Sequence, residues 1–311
     1  MFLRPLRLIP EKTNIDFVKA RFVAFFITLA LIVATTILLF TKGLNLGTDF
    51  TGGVLIEAKS SQEIDIGTIR KDLATLELGE VDIQQFGAPE EILIRIQRQD
   101  GDDAAQMSAV QSVRDKLGEG YEYKRVEVVG PTVGGELLAA GILAAVLAMV
   151  GMSIYVAFRF EWQFGVAAMV STFHDVFVTV GLFSLFQLDF NLTSVAVFLT
   201  LAGYSINDTI IIFDRMREIL RRHKADNLKE IINIAVNQTL SRTIMTGGTT
   251  MLAILPLLFI GGSTLFGFAV AMTWGILIGT YSSIYVAASL LLYMPRLRRI
   301  DPSHAKKKKK G

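Results

Sequence analysis

Long apolar runs alternate with short polar ones over most of the chain. Six of them, at about 22–40, 137–158, 164–186, 192–213, 243–261 and 266–293, approach or exceed the roughly 20 residues a helix needs to cross a bilayer core. The last is long enough to tilt or to extend past the lipid. Between the first two runs, at 41–135, the pattern changes. "GGVLIEAKS", "EVDIQQFG", "EEILIRIQRQ" and "YEYKRVEVVG" read as strands, with Ile92, Ile94 and Ile96 alternating against Leu93 and Arg95. "DIGTIRKDLATLEL" and "AAQMSAVQSVRDKLG" carry apolar residues near helical spacing, and the second stops at Gly118. The order is β-α-β-β-α-β, the split βαβ or ferredoxin-like pattern. The predicted fold class is a polytopic α-helical membrane protein: six transmembrane helices, with a small α+β ferredoxin-like (βαββαβ) domain between spans one and two.

Composition agrees. The chain has 311 residues, 51% hydrophobic and 19% charged, with a mean hydropathy of +0.47, more apolar than a soluble protein of this length. A net charge of +2 gives no global field that points to nucleic acid. The basic residues are local. Arg4, Arg7, Lys12, Lys19 and Arg21 precede span one, and Arg159 lies between spans two and three. Arg215, Arg217, Arg221, Arg222, Lys224 and Lys229 follow span four; Arg296, Arg298 and Arg299 follow span six. The connections "FQLDFN" and "IGGST" have no Lys or Arg. With six spans, all four basic segments fall on one side. The loop-charge bias then predicts two cytoplasmic termini and an external or periplasmic domain.

The expected division is a cytoplasmic segment 1–21, span 22–40, the α+β domain 41–135, a five-helix membrane domain 136–293 and a basic tail 294–311. The cytoplasmic loop 214–241 within the membrane domain reads as a solvated basic linker or as an amphipathic helix pair. The Lys306–Lys310 run is given no function. The leader before the first apolar run is long and no small-residue cleavage pattern follows it, so a cleaved signal peptide is not expected. The absence of cysteine excludes disulfides and thiolate metal sites.

Catalytic signatures are missing. "GTDFTGG" lacks the lysine and following helix of a phosphate loop, and neither H-E-x-x-H nor G-x-S-x-G occurs. Three histidines leave little room for a His-based metal site. Nucleotide or metal-assisted hydrolysis is not expected, nor is any cofactor. What remains is charge within the membrane. His174 and Asp175 lie near the middle of span three, and as helix neighbours about 100° apart they are expected to face different partners. Asp208, in "GYSINDTIIIFDRMRE", lies about two turns, or ~9 Å, inside the boundary marked by Asp214. Arg242, in "NQTLSRTIMTGGTT", enters from that same boundary. A guanidinium moving toward or away from a carboxylate in low dielectric drives proton release or uptake.

Simpler readings stand beside these. Arg242 fits a boundary residue obeying the positive-inside bias. Asp208 and Asn207 fit interhelical hydrogen-bond glue, Asp175 a static role, and His174 packing. Gly247-Gly248 and "GILIG" at 275–279 fit close helix packing or bending.

"GLNLGTDFTGG", "VVGPTVGGEL", "FRFEWQFG", "HDVFVTVGLFSLFQLDFNL", "GYSINDTIIIFDRMRE" and "NQTLSRTIMTGGTTMLAILPLL" resemble, in order, the SecF family of the bacterial SecD–SecF protein-export complex. The resemblance runs from about Gly43 to the end of span six. It implies a membrane fold like that of the resistance-nodulation-division exporters. It also implies pairing with SecD, often with YajC, beside the SecY–SecE–SecG channel in the bacterial inner membrane. The implied activity uses the proton-motive force to complete export of preproteins, with protons as the coupling ion and no other cofactor. By motif the proton pathway falls on Asp208 and Arg242, with Asp175, His174 and Asn207 in weaker supporting roles. SecD holds a further essential carboxylate. Two other readings remain: a structural subunit that holds SecD and the channel together without coupling protons, and an independent small-molecule antiporter. The short α+β domain argues against the antiporter.

"GTDFTGG" then lies where the chain leaves span one. Gly47, Gly52 and Gly53 are expected to take backbone angles other residues avoid, and Asp49 to cap a turn, with Phe50 between them. The stretch reads as a rigid joint or, more sharply, as the hinge between the membrane and the α+β domain.

Overall fold

The computed structural model describes residues 13–101, 103–129, 131–222 and 227–295. The remaining residues, including Arg4, Arg7, Lys12, Lys224 and the 296–311 tail, lie outside the described residues. Helix α1 (Arg21–Thr41) is the first span. It leads through a two-residue strand β1 (Asn45–Leu46) and a single helical turn α2 (Thr48–Thr51) into the α+β domain. That domain contains β2 (Gly53–Ser60), α3 (Ile66–Ala74), β3 (Val81–Phe86), β4 (Ala88–Ile96), α4 (Asp103–Leu117) and β5 (Tyr121–Val129). The order is the expected βαββαβ. The sheet is antiparallel throughout, in the order β3-β4-β2-β5, which is the ferredoxin-like arrangement.

Period-2 alternation gives this sheet two distinct faces. Val54, Ile56 and Ala58 pair with Ile96, Ile94 and Ile92 and join Ile69, Leu73, Val110 and Val113 of the two helices in one core. The intervening residues Leu55, Glu57, Leu93 and Arg95 point to the opposite face, together with Arg125 and Glu127 of β5. Asp65 starts α3, its Oδ1 accepting from the Gly67 N–H at 2.9 Å. The helix ends at Ala74, four residues short of the expected end at Leu78, and Glu77 takes a left-handed φ of +52°.

The membrane domain follows. It comprises α5 (Pro131–Arg159), α6 (Trp162–Phe186), a two-residue strand β6 (Asp189–Phe190), α7 (Leu192–Arg222), α8 (Leu228–Ile260) and α9 (Gly262–Tyr281). The last span continues past α9 as a π-helix over Ser282–Ala287 and short turns to Tyr293. Among the described residues six helices are long and apolar enough to cross a membrane. Three form the inside of the bundle: 56% of the apolar window is buried in each of α6 and α7 and 67% in the last span, against 6–17% in α1, α5 and α8.

The expected loop 214–241 is mostly helix. Helix α7 runs to Arg222 and α8 begins at Leu228, so spans four and five extend well beyond their apolar stretches. The reason is amphipathic: Met216 and Ile219 meet Ile231, Ile232, Ala235 and Val236 in one core at helical spacing. The leader before α1 also enters that core through Phe17 and Val18. Two side chains one turn apart on α8 hold it there. Asn237 accepts from the Ile15 N–H at 2.9 Å and donates to its carbonyl at 2.8 Å, and Asn233 accepts from the Val18 N–H at 3.0 Å.

Glycines set the closest helix approaches. A Cβ on Gly275 would come within 2.3 Å of Leu201 Cδ1, and one on Gly279 within 3.2 Å of Ser205 Cβ, so α9 crosses α7 at contact distance. Gly247 is looser, with its nearest neighbour, the Tyr204 hydroxyl, at 3.6 Å, and Gly248 has nothing within 4 Å.

Candidate functional site

Two polar centres lie within the bundle. The first surrounds Asp175, which is fully buried on α6. Its Oδ2 accepts from Ser282 Oγ at 2.6 Å and from Ser205 Oγ of α7, and its Oδ1 meets His174 Nδ1 at 2.9 Å. As expected the two residues have different further partners, the serines bonding to Asp175 alone, but their side chains also bond to each other. Next to them Thr209 and Ser283 hydroxyls bond at 2.8 Å. Ser282 and Ser283, adjacent residues in the π-helical turn of the last span, reach α6 and α7 respectively. One carboxylate thereby ties three helices together. The Nε2 of His174 is buried without a hydrogen-bond partner.

The second centre is Asp208. It lies one turn beyond Ser205 on α7 and is 2% exposed, and its Oδ2 has no hydrogen-bond partner. Arg242, on the neighbouring α8, is exposed and makes no salt bridge to it within 4.0 Å. The two therefore occupy adjacent helices without pairing. Asn207 is exposed beside Asp208 and does not bond to it. Thr243, next to Arg242, is buried with its hydroxyl unpartnered. A carboxylate left this way is costly unless it is neutral or finds a partner. Among the described residues no group of three or more His, Asp or Glu is placed to hold a metal.

A third cluster lies where the membrane helices meet the α+β domain. Strands β1 and β6 pair in parallel, Asn45 with Asp189 and Leu46 with Phe190. Asn191 and Ser194 cap α7 reciprocally: the Ser194 N–H donates to Asn191 Oδ1 at 3.0 Å and the Asn191 N–H to Ser194 Oγ at 3.2 Å. Asp49 adds a long-range cap, accepting from the Leu192 N–H. Asp189 accepts from Asn45 Nδ2 at 2.9 Å and forms an ion pair with Arg95 of β4. Burial pushes the Arg95 guanidinium below its ordinary pKa and Asp82 opposes that shift, which leaves an arginine charged at any physiological pH.

The glycines of "GTDFTGG" divide. Gly52 (φ +73°) and Gly53 (φ +115°) take left-handed angles as expected. Gly47 does not: at φ −70° its backbone is ordinary. What Gly47 supplies is space, since a Cβ there would lie 3.2 Å from Asn191 Cβ and 3.3 Å from the Phe190 carbonyl. Phe50 is buried in the same joint, its ring 5.6 Å from that of Phe190.

Sequence reasoning missed Ser205, Thr209, Ser282 and Ser283, although the i,i+4 hydroxyls within an apolar span and the adjacent pair of serines were a usable signal. It also missed Arg95 and Asp189, where no local pattern marks the pairing.

The comparisons agree with this architecture. Residues 109–297 match the family model of the SecD/SecF export membrane protein C-terminal region, and residues 37–64, which contain "GTDFTGG", match the SecD/SecF GG motif. The protein translocase subunit SecF of Cereibacter sphaeroides is 43% identical over 93% of this chain and 92% of its own. That of Magnetococcus marinus is 46% identical over 93% and 95%. A SecDF of Brucella abortus is 42% identical over 93% of this chain, which spans only 38% of that longer protein. The crystal structure of SecDF from Thermus thermophilus superposes with a TM-score of 0.82 at 35% identity, covering 92% of this chain and 39% of that one. A SecDF structure in a super-membrane-facing form gives 0.66 at 33% identity, covering 99% and 42%. By family model and by identity over nearly its whole length, the chain belongs to the SecF family of protein translocase subunits.

Proposed function

We propose that this chain is the subunit of a SecD–SecF complex that couples proton movement to completion of preprotein export. The observation that carries the reading is Asp208: a buried carboxylate whose Oδ2 has no internal partner, beside an exposed arginine on the adjacent span. Proton uptake neutralises Asp208, and approach of Arg242 favours its ionised form. Each proton crossing 100 mV releases about 2.3 kcal/mol, enough to bias a two-state motion. Asp175 is satisfied by its neighbours and holds the bundle around this site, and Asn207 stands at its open edge.

Pairing with SecD is supported by the longer SecDF relatives, of which this chain aligns with less than half. The exposed side of α7 also supports it. Ala196, Thr200, Gly203 and Asn207 form a small, polar stripe there, and a Cβ on Gly203 would meet nothing within 4 Å. Such a stripe fits another helix better than lipid. The complex acts in the bacterial inner membrane beside the SecY–SecE–SecG channel, with YajC as a further partner. Both termini are cytoplasmic and the α+β domain is periplasmic. Protons are the coupling ion, and the chain is not an enzyme.

The test is gradient-stimulated export in vesicles carrying the assembled complex. Asp208→Asn and Arg242→Met are each expected to abolish the stimulation while complex abundance stays normal. Wild-type stimulation in both variants sinks the proposal. Lost assembly with normal activity per assembled complex favours the structural-subunit reading instead.

A further inference from the structure

The face of the sheet opposite α3 and α4 looks onto the membrane domain. A cleft of about 330 Å³ separates this face from the tip of the α6–α7 hairpin, lined by Glu57, Gln84, Arg125 and Thr193 among others. The two bodies are therefore not packed continuously, and force between them passes through particular contacts. Arg95 crosses at the cleft. Its side chain is 14% exposed, its Nε is buried without a partner, and it pairs with Asp189 at the hairpin tip. The ion pairs Lys59–Glu91, Lys124–Glu91 and Arg125–Glu127 all lie within the α+β domain. Asp189 in turn holds Asn45, where span one exits, and its backbone carbonyl accepts from Ser194 Oγ in the first turn of α7 at 2.9 Å. One aspartate thus joins the exit of span one, the start of the helix carrying Asp208, and a central strand of the sheet.

We propose that the Arg95–Asp189 pair is the bolt through which movement of the α6–α7 hairpin is passed to the α+β domain. This rests on the reading that proton binding at Asp208 moves the bundle. The bolt stays closed throughout the cycle, because opening would cost the largely buried Arg95 its ion pair and leave it only the longer-range attraction of Asp82 across β3. Arg95 and Asp189 are positioning residues and touch neither the proton nor the preprotein.

The chain has no cysteine, so within it a thiol-reactive spacer meets only an introduced pair. The complex with SecD is assembled in vesicles with Arg95→Gln, with Asp189→Asn, or with Arg95→Cys and Asp189→Cys together, beside Asp208→Asn as reference. Gradient-stimulated export is measured in every variant, and in all but the paired-cysteine variant a single dye-labelled cysteine at exposed Gln84 reports the response of the domain to the gradient. Both neutral variants are expected to lose stimulation by about fivefold or more, the population shift that loss of a 1 kcal/mol coupling produces. They should assemble normally and lose the dye response. Joining the paired cysteines with a bismaleimide spacer as long as the two side chains is expected to restore the stimulation. Wild-type stimulation in Arg95→Gln, or failure of the spacer to restore it, overturns the bolt. If Asp208→Asn keeps full stimulation, the underlying proton reading fails and the bolt falls with it. Loss in Asp208→Asn beside full activity in Arg95→Gln removes the bolt alone.

Discussion

The carboxylate of Asp49 caps a helix that begins 143 residues later, its Oδ2 accepting from the Leu192 N–H at 2.9 Å. A residue in the turn after span one thereby fixes the start of span four. Asp49→Ala is expected to lower stability by about 1 kcal/mol, the usual value of a lost N-terminal cap. Asp49→Asn should cost less, since an amide oxygen still accepts. The shift in thermal unfolding midpoint of the purified protein in detergent checks this; equal midpoints for Asp49→Ala and wild type would show that the cap contributes nothing.

The adjacent glycines at the start of α5 should behave oppositely. A Cβ on Gly134 would come within 2.7 Å of the Phe50 carbonyl oxygen and 3.2 Å of the Gly52 nitrogen, which are backbone atoms that cannot swing aside. Gly134→Ala is expected to cost about 1–3 kcal/mol, as overpacking does. Gly135 has nothing within 4 Å, so Gly135→Ala should be neutral or stabilise α5 by up to about 1 kcal/mol. The same midpoint measurement separates them, and equal shifts in both variants would contradict the packing described.

Truncating Asp175 tests the three-helix cluster. In Asp175→Ala the Ser205 hydroxyl and His174 Nδ1 lose the partner they share, while Ser282 keeps a 3.1 Å bond to the Gly279 carbonyl. The expected loss is about 3 kcal/mol from buried polar groups left unpaired. It should be read as reduced abundance and a lower midpoint, and Asp175→Asn should recover part of both. An Asp175→Ala protein as stable as wild type would mean that the cluster does not hold the bundle.

Glu91 gives a pH signature outside the membrane. The hydrogen bond from Lys124 holds its carboxyl below the ordinary glutamate range, with Lys59 adding to the effect and partial burial opposing it. A depressed folded pKa contributes stability above the unfolded value of about 4.3 and loses it as pH falls through the lower folded value. Glu91→Gln should therefore destabilise at neutral pH, by less than about 1 kcal/mol for so exposed a pair. The difference from wild type should vanish below the folded pKa. A difference that persists in strong acid would point to a cause other than charge.

The sequence alone determined what is local. The six spans follow from apolar length, because each backbone group of a membrane helix is satisfied within its own segment. The βαββαβ order follows from period-2 and helical spacing, and Asp208 and Arg242 stand out as charges in apolar runs. The helical reading of 214–241 was legible in the spacing of Met216, Ile219, Ile231 and Ala235, although its continuity with spans four and five was not. Only the tertiary structure decided which polar groups meet. It put Asp175 among Ser205 and Ser282, up to 107 residues away, and left Asp208 and Arg242 unpaired on adjacent helices. It brought Arg95 to Asp189 across 94 residues and changed Gly47 from a flexible residue into a small one. The physical reason is the same in each case: a helix or strand is specified by neighbours in sequence, whereas a polar contact between elements is specified by how they pack, and a pattern such as the Ser205/Thr209 pair can mark a polar face but not the partner it meets.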